Sequence, residues 1–464
     1  MVLAIFTTVF KMNFNFMSNF IRENSFLRLL YRRYISKIPG ANLAKDQGLK
    51  LIRRIKRSFE RPLSFKLLSF PDFCHDYQIN KTVLLPRTAQ VVEDMWLFSA
   101  DKSNNGKASV DSYFSPECVF VSLRDISVLS RTDFFFHDGY AVHEEFYNPE
   151  KYLTTLEQMY IGHVVADDTL LIGLKNREVT VDKGVNLLSS GAGNYTHFIC
   201  EVITKLLLLN SKEFDRFRDY PLIVDGWSGP NYPEIISFFN QHCHEIIYLD
   251  SFEFLNVQNL LHISAPIWSP QEFRFTHTNS YSDFMSNSYL FSSQALGIVR
   301  DYARKKINRF ALKNVSSKKR IYLQRKPKFI EGIQYNVNRY IVNEGEVVEI
   351  LKKFDFEIID ITSLSFVEQV KLFYDVEVVV APLGAVLINV IFSKPGIDVI
   401  GLGVSFSGAD YSYHTRMMSG LGHNYKVVLG NAYYKGSVQV NLNHVPYAID
   451  IPSLHRALNE VFKM

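Results

Sequence analysis

The sequence predicts an α/β protein made of two domains with parallel sheets facing each other across a cleft. Three observations carry this. From residue 185 onward, short apolar runs alternate with segments of helical period, as in parallel strands covered by helices. The alternation pauses in the polar, basic stretch 312–319 and resumes at Arg320. Val378-Val379-Val380 is wholly apolar, as strands buried on both faces are. The expected organisation is an N-terminal extension over 1–62, a first α/β domain over 63–300 and a second over 301–464, with a hinge near 295–318.

The extension is basic. Twelve Lys or Arg and three acids between Ile21 and Pro62 give it a net charge of +9, against +4 for the whole chain of 464 residues. Ile21, Phe26, Leu27, Leu29, Leu30 and Tyr31 stand beside these cations. The segment reads either as a solvated helical face or as an amphipathic patch for anionic lipid. Nucleic acid is not an expected partner, because the remainder of the chain is net acidic. No basic segment precedes the apolar start MVLAIFTTVF, so neither a signal peptide nor a spanning helix is expected.

A hydrophobic share of 47% with 21% charged residues excludes a disordered, collagen-like or polytopic membrane chain. Aromatic residues make up 14%, which favours large cores and stacking surfaces. Cys74, Cys118, Cys200 and Cys243 are widely spaced, which fits a reducing compartment better than a disulfide framework or a cysteine zinc site. In His242-Cys243-His244 adjacent side chains point in different directions, so packing is preferred to metal binding.

Between 62 and 180 the pattern is strands and turns, as at Thr82–Leu85, Val119–Val121 and Leu170–Ile172. Val185–Leu188 is then a strand, Ser189–Asn194 a small-residue loop, and Tyr195–Leu209 a helix capped by Asn194. Strands at 221–224 and 245–249 flank a helix at 233–240. A long helix spans 291–310. In the second domain, strands are expected at 320–324, 356–361, 378–380 and 399–402. Asn343 is expected to cap a helix to Lys353. Ser365 and Glu368 form a capping box for a helix to Phe373. The loop Ala381–Ala385 leads into a helix that Pro395-Gly396 stops.

Ligands of open α/β sheets bind at the carboxyl ends of strands, which singles out three loops. In the first, Gly191 and Gly193 permit close approach, and the helix that follows carries His197 and, one turn later, Glu201. A histidine beside a carboxylate can take a proton from a hydroxyl nucleophile; a capping or core histidine is the plainer alternative. In the second, Arg325 follows the strand that begins at Arg320, where a guanidinium can hold a diphosphate; a surface arginine is the alternative. In the third, Pro382–Ala385 is a strand-to-helix turn suited to a phosphate, or an ordinary tight turn. It is neither G-x-G-x-x-G nor a P-loop. No Asp-x-Asp pair occurs, so no metal or other cofactor is expected.

Taken together these loops resemble the family 61 glycosyltransferases over roughly residues 185–405. The resemblance rests on Gly193-Asn194-Tyr195-Thr196-His197-Phe198 with Glu201, on Arg320-Ile321-Tyr322-Leu323-Gln324-Arg325, and on Asn338-Arg339 before Asn343-Glu344. It continues through Ser365–Val370 with Leu372-Phe373, Pro382-Leu383-Gly384-Ala385, Asn389, Phe392 and Pro395-Gly396. It implies a GT-B-like pair of Rossmann-like domains and an inverting transfer from a nucleotide sugar. The acceptor would be a glycan or lipid-linked hydroxyl, in capsule, lipopolysaccharide or another surface polysaccharide. The protein would be cytoplasmic, resting on the inner membrane face through its extension. The resemblance implies His197, supported by Glu201, as base; Gly193, Asn194 and Tyr195 as the acceptor-side loop; and Arg320, Arg325, Glu368, Gly384, Ala385 and Asn389 on the donor side.

The sequence departs from the family at three places. The family loop reads Gly-Pro-His-Gly-Ala, and here Leu383 replaces the histidine. Ile388 replaces a threonine, and Gly401 an acidic residue. These changes keep open a second reading, a catalytically inactive relative that binds a sugar or a partner subunit.

Overall fold

The computed structural model describes residues 63–101, 105–144, 162–165, 169–172, 179–226, 231–250, 253–267, 289–309, 319–324, 329–330, 333–334, 340–405, 411–433 and 445–463. The basic extension, Arg325 and Asn338-Arg339 lie outside the described residues.

The chain opens with β1 (Leu63–Ser69), α1 (Phe70–Asp76), β2 (Thr82–Leu85), β3 (Ala89–Gln90), β4 (Met95–Phe98), β5 (Gly106–Ala108) and β6 (Tyr113–Phe114). Next come β7 (Cys118–Leu129), β8 (Phe135–His137), β9 (Tyr140–His143), β10 (Gly162–Val165), β11 (Thr169–Ile172) and β12 (Val179–Asn186). Helix α2 has three parts: an α turn Tyr195–His197, a π-helical segment Phe198–Ile203 and an α segment Thr204–Leu208. Then follow β13 (Leu222–Asp225), α3 (Tyr232–Phe239), β14 (Ile246–Leu249), β15 (Phe254–Ile263) and α4 (Ser293–Arg309). The second half comprises β16 (Arg320–Gln324), β17 (Phe329–Ile330), β18 (Ile333–Gln334), α5 (Glu344–Lys353), β19 (Glu357–Asp360), α6 (Phe366–Tyr374) and β20 (Val378–Pro382). A 3-10 helix over Ala385–Phe392 leads to β21 (Asp398–Ser405), α7 (Ser412–Leu421), β22 (Asn424–Ala432), β23 (Tyr447–Ile449) and α8 (Ile451–Phe462).

Among the described residues the first sheet runs β10-β11-β1-β9-β8-β7-β15-β12-β13-β14, with β2 also on β7. Its β15-β12-β13-β14 part is parallel, as the alternation predicts. The long central strands break their pairing at one level: Gln258 of β15 pairs with neither Asp125 of β7 nor Asp182 of β12, and Asp125 has φ +53°. The sheet curls there. Phe135 pairs with Val128 and Val128 with Leu255, at the far end of β15 from His262, yet the Phe135 and His262 rings lie 5.1 Å apart. Curling brings the loop after β7 to the loop after β12, so that Ser190 N–H donates to Asp133.

The second sheet runs β19-β16-β20-β21-β22-β4-β5, parallel from β19 to β4, with β23 antiparallel on β22. It is not built from residues after 300 alone. Trp96–Phe98 pairs with Lys426–Val428, so the chain contributes two early strands to the later sheet.

One apolar core runs through both sheets. Val185 and Leu222, Ile199 and Ile203 of α2, and Val379 and Val399 belong to the same buried cluster. Leu296, Val299, Ala303 and Ile307 give α4 a fully buried stripe at helical spacing within it. Exposing Leu296, Val299 or Ile307 costs about 1.5–3 kcal/mol each. The first part of the stretch expected as a hinge is therefore a core helix, and 310–318 lie outside the described residues. A second cluster, with Tyr322, Leu402 and Leu454, lies under α5 and α8. Two of the three capping predictions hold: Asn194 Oδ1 accepts from Thr196 N–H, and Ser365 and Glu368 cap α6 reciprocally. Asn343 precedes α5 but its side chain does not cap it, because the amide is taken up by the backbone of Ile449.

Candidate functional site

β12 and β13 end side by side, and the loop from β12 enters α2. Asn194 caps the first turn, which places His197 at the point where the helix widens into its π segment. A plain α-helix was the expectation. A π segment changes the stacking of successive turns and recurs at functional sites. Every residue from Phe198 to Ile203 is buried, Glu201 among them.

His197 and Glu201 form a buried pair, 7% and 5% exposed, with Nδ1 of the imidazole 2.7 Å from Oε1. The other carboxylate oxygen, Oε2, accepts the Ser189 hydroxyl. Nε2 of His197 has no hydrogen-bond partner among the described residues. Burial opposes charge on this imidazole, but the Glu201 carboxylate, helped by Asp133, holds its pKa above the ordinary histidine value. Gly191 makes the packing possible: a Cβ there would lie 2.4 Å from His197 Nδ1.

More charge lies beneath. Lys205 is 3% exposed, and burial opposes its ammonium, but Glu144, Asp133 and Glu201 raise its pKa. Glu144 Oε1 meets His262 Nε2 at 2.6 Å, and His262 Nδ1 lies 3.2 Å from the Asn186 amide. Burial pushes Asp133 up to about 6, with the Glu201 charge adding to the effect. Burial likewise pushes Asp225 up to about 7, against the backbone N–H groups of Arg131 and Ser189 that it accepts.

A pocket of about 270 Å³ opens here, lined by Arg131, Ser189, Ser190, Ala192, Gly193, Asn194 and Asp225. It is small for a ligand pocket, with room for one group of a larger substrate. Four of the loop's N–H groups are turned inward. Ser189 N donates to Asp225, Ser190 N to Asp133, Gly191 N to Ser189 Oγ, and Ala192 N to Ser189 O. With these four donors consumed and carboxylates behind them, this part of the edge suits hydroxyl donors better than a diphosphate.

At the carboxyl edge of the second sheet the Pro382–Ala385 turn stands as expected. Gly384 has φ 149° and ψ −171°, a region open in practice only to glycine. Leu383 lies across β21: a Cβ on Gly401 would come within 2.5 Å of Leu383 Cδ2 and 2.8 Å of the Tyr425 hydroxyl oxygen, and one on Gly403 within 2.6 Å of Leu383 Cδ1. Two of the three departures from the family thus touch each other, and the leucine needs the glycines.

The predicted donor residues scatter. Arg320 stands at the amino end of β16, where it donates to Phe354 O and covers the Phe462 ring at 4.2 Å, away from the carboxyl edge. Glu368 is exposed and engaged in its helix cap. Asn389 is 2% exposed; its Oδ1 accepts the Tyr195 hydroxyl at 2.8 Å and its Nδ2 donates to Val386 O. The structure thus joins Tyr195, expected on the acceptor side, to Asn389, expected on the donor side. His244 Nδ1 lies 2.9 Å from Tyr220 O, Cys243 is exposed, and no metal-binding group of His, Cys, Asp or Glu occurs among the described residues.

Sequence reasoning passed over Ser189, Asp133, Glu144, Lys205 and Asp225. Two signals were available. Lys205 continues the His197–Glu201 spacing by four more residues, and Asp225 ends a strand at the ligand-binding edge.

A parallel α/β sheet with a titratable pair at its carboxyl edge is a frame on which many transferases are built. The family model described as Glycosyltransferase 61 matches residues 195–400, and over that stretch the chain is a family 61 glycosyltransferase domain. Its substrates are accordingly a sugar donor and an acceptor. No curated protein matches the chain. No described helix is long and apolar enough to cross a membrane.

Proposed function

We propose that the chain is an inverting glycosyltransferase of GT-B-like build. It moves a sugar from a nucleotide sugar to a hydroxyl of a glycan or lipid-linked acceptor in surface polysaccharide biosynthesis. The observation that carries this is the buried His197–Glu201 pair at the head of the matched domain. The acceptor hydroxyl gives its proton to His197 Nε2 as its oxygen attacks the anomeric carbon. The bond to the diphosphate breaks on the opposite face, and the nucleoside diphosphate leaves with the electron pair. Glu201 stabilises the imidazolium. Arg325 and the Gly384-Ala385 helix start are the groups proposed for the leaving diphosphate, with no metal required. The chain is read as cytoplasmic, with residues 1–62 on anionic lipid; removing them is expected to release it from anionic vesicles.

The test is thermal stability against UDP, GDP, CMP and dTDP with and without magnesium, followed by turnover of wild type and His197→Gln. A metal-independent rise with one nucleotide names the donor class, and lost turnover in the variant supports His197 as base. The contact of Leu383 with Gly401 and Gly403 favours the second reading, an inactive sugar- or partner-binding relative. Absence of turnover with every donor in the wild type would select it.

A further inference from the structure

Ser189 belongs to no role assigned so far. It is 1% exposed, yet its hydroxyl donates to Glu201 Oε2, accepts from Gly191 N–H at 3.2 Å, and its own N–H donates to Asp225 at 3.3 Å. It therefore ties the pocket floor to the His197–Glu201 pair. We propose that Ser189 is a positioning residue that locks Glu201, and so fixes His197 in the tautomer whose free nitrogen is Nε2. This deepens the reading of His197 as base and rests on it.

The argument is one of donors and acceptors. An ionised carboxylate only accepts. With Oε2 engaged by Ser189, Oε1 faces Nδ1, so the proton between them sits on Nδ1 and leaves Nε2 able to take one. Without the serine, a carboxylate buried to 5% exposure loses one of its two side-chain partners. Its affinity for a proton then rises. If Glu201 takes a proton from solvent it becomes the donor to Nδ1, and the imidazole stays neutral with its one hydrogen moved from Nδ1 to Nε2. In that form His197 cannot accept from a hydroxyl.

The other charged groups around the pair are Asp133 from the loop after β7, Glu144 after β9, Asp225 at the end of β13 and Lys205 on α2 itself. Lys205 offsets the three acids that face it, Glu144, Asp133 and Glu201. Among the described residues none of these four hydrogen-bonds Glu201 in place of Ser189, whose hydroxyl is the donor that sets the carboxylate's orientation.

The experiment reads the tautomer directly in full-length protein labelled with ¹⁵N-histidine. His197 is one of 13 histidines, and its signal is the one lost in His197→Gln. The wild type is expected to show Nδ1–H. Ser189→Ala is expected to shift neutral His197 toward Nε2–H and, once a donor is known, to lower kcat by about tenfold or more with little change in acceptor KM. Ser189→Thr keeps the hydroxyl and should restore both. Should Ser189→Ala fail to fold, Ser189→Cys, a weak donor of similar size, reads the same shift. An Nδ1–H tautomer in folded Ser189→Ala identical to the wild type would overturn the proposal, whatever happens to turnover. Full turnover in His197→Gln would instead overturn the base reading and leave the tautomer result standing.

Discussion

The carboxyl edges of the two sheets are built from opposite materials. At the edge of β12 and β13 titratable side chains stand against one another: His197, Glu201, Asp225 and Lys205 are buried and Asp133 is half-buried. At the edge of β20 and β21 Leu383 instead packs directly over Gly401 and Gly403. Buried charge is expensive unless paired, so its retention at one edge points to chemistry there. Glycines against a leucine point instead to close backbone approach.

The comparison breaks first if the charged edge is chemically idle. His197→Gln is expected to lower turnover by about 10²–10⁴-fold, the usual contribution of a general base; initial rates measure it. The glycine edge makes a different prediction. Gly401→Ala should destabilise by about 1–3 kcal/mol through overpacking against Leu383, and Leu383→Ala in the same chain should recover much of that loss. Additive losses in denaturant melts would show that the two do not share one space. Gly384→Ala should likewise cost about 1–3 kcal/mol, because its backbone conformation is closed to alanine; here no second substitution at Leu383 should help.

Acidity sharpens the contrast. The raised pKa of His197 places the acid limb of kcat/KM above the ordinary histidine value of about 6.5. For Asp225 the folded pKa, about 7, exceeds the unfolded one. Its contribution to stability is therefore full at low pH and is lost as pH rises through 7. Asp225→Asn should flatten the fall in melting temperature between about pH 4 and pH 8 relative to wild type, whereas Gly401→Ala should not change its slope. The smallest expected effect is that of Tyr195→Phe. It removes the bond to Asn389 and should cost about 0.5–1.5 kcal/mol, more if Asn389 is left unsatisfied.

Much of this was legible in the residues. The His197–Glu201 spacing, the Asn194 cap, the Ser365–Glu368 capping box and the alternation of the parallel strands are local, and local rules read them. The matched family stretch follows from the same motifs. Arg320, which only the family resemblance puts on the donor side, stands at the amino end of β16 and donates to Phe354 O. The early strands β4 and β5 gave no sign that they would join the later sheet, since pairing across more than three hundred residues leaves no local trace. The sequence by itself determined which side chains could do proton chemistry and which turns only glycine could make. Tertiary structure decided who meets whom. A curl at Asp125 carries Asp133 to Ser190, a leucine settles over two glycines, and a serine from the β12 loop closes on Glu201, because burial forces each polar group to find a partner wherever the chain brings one.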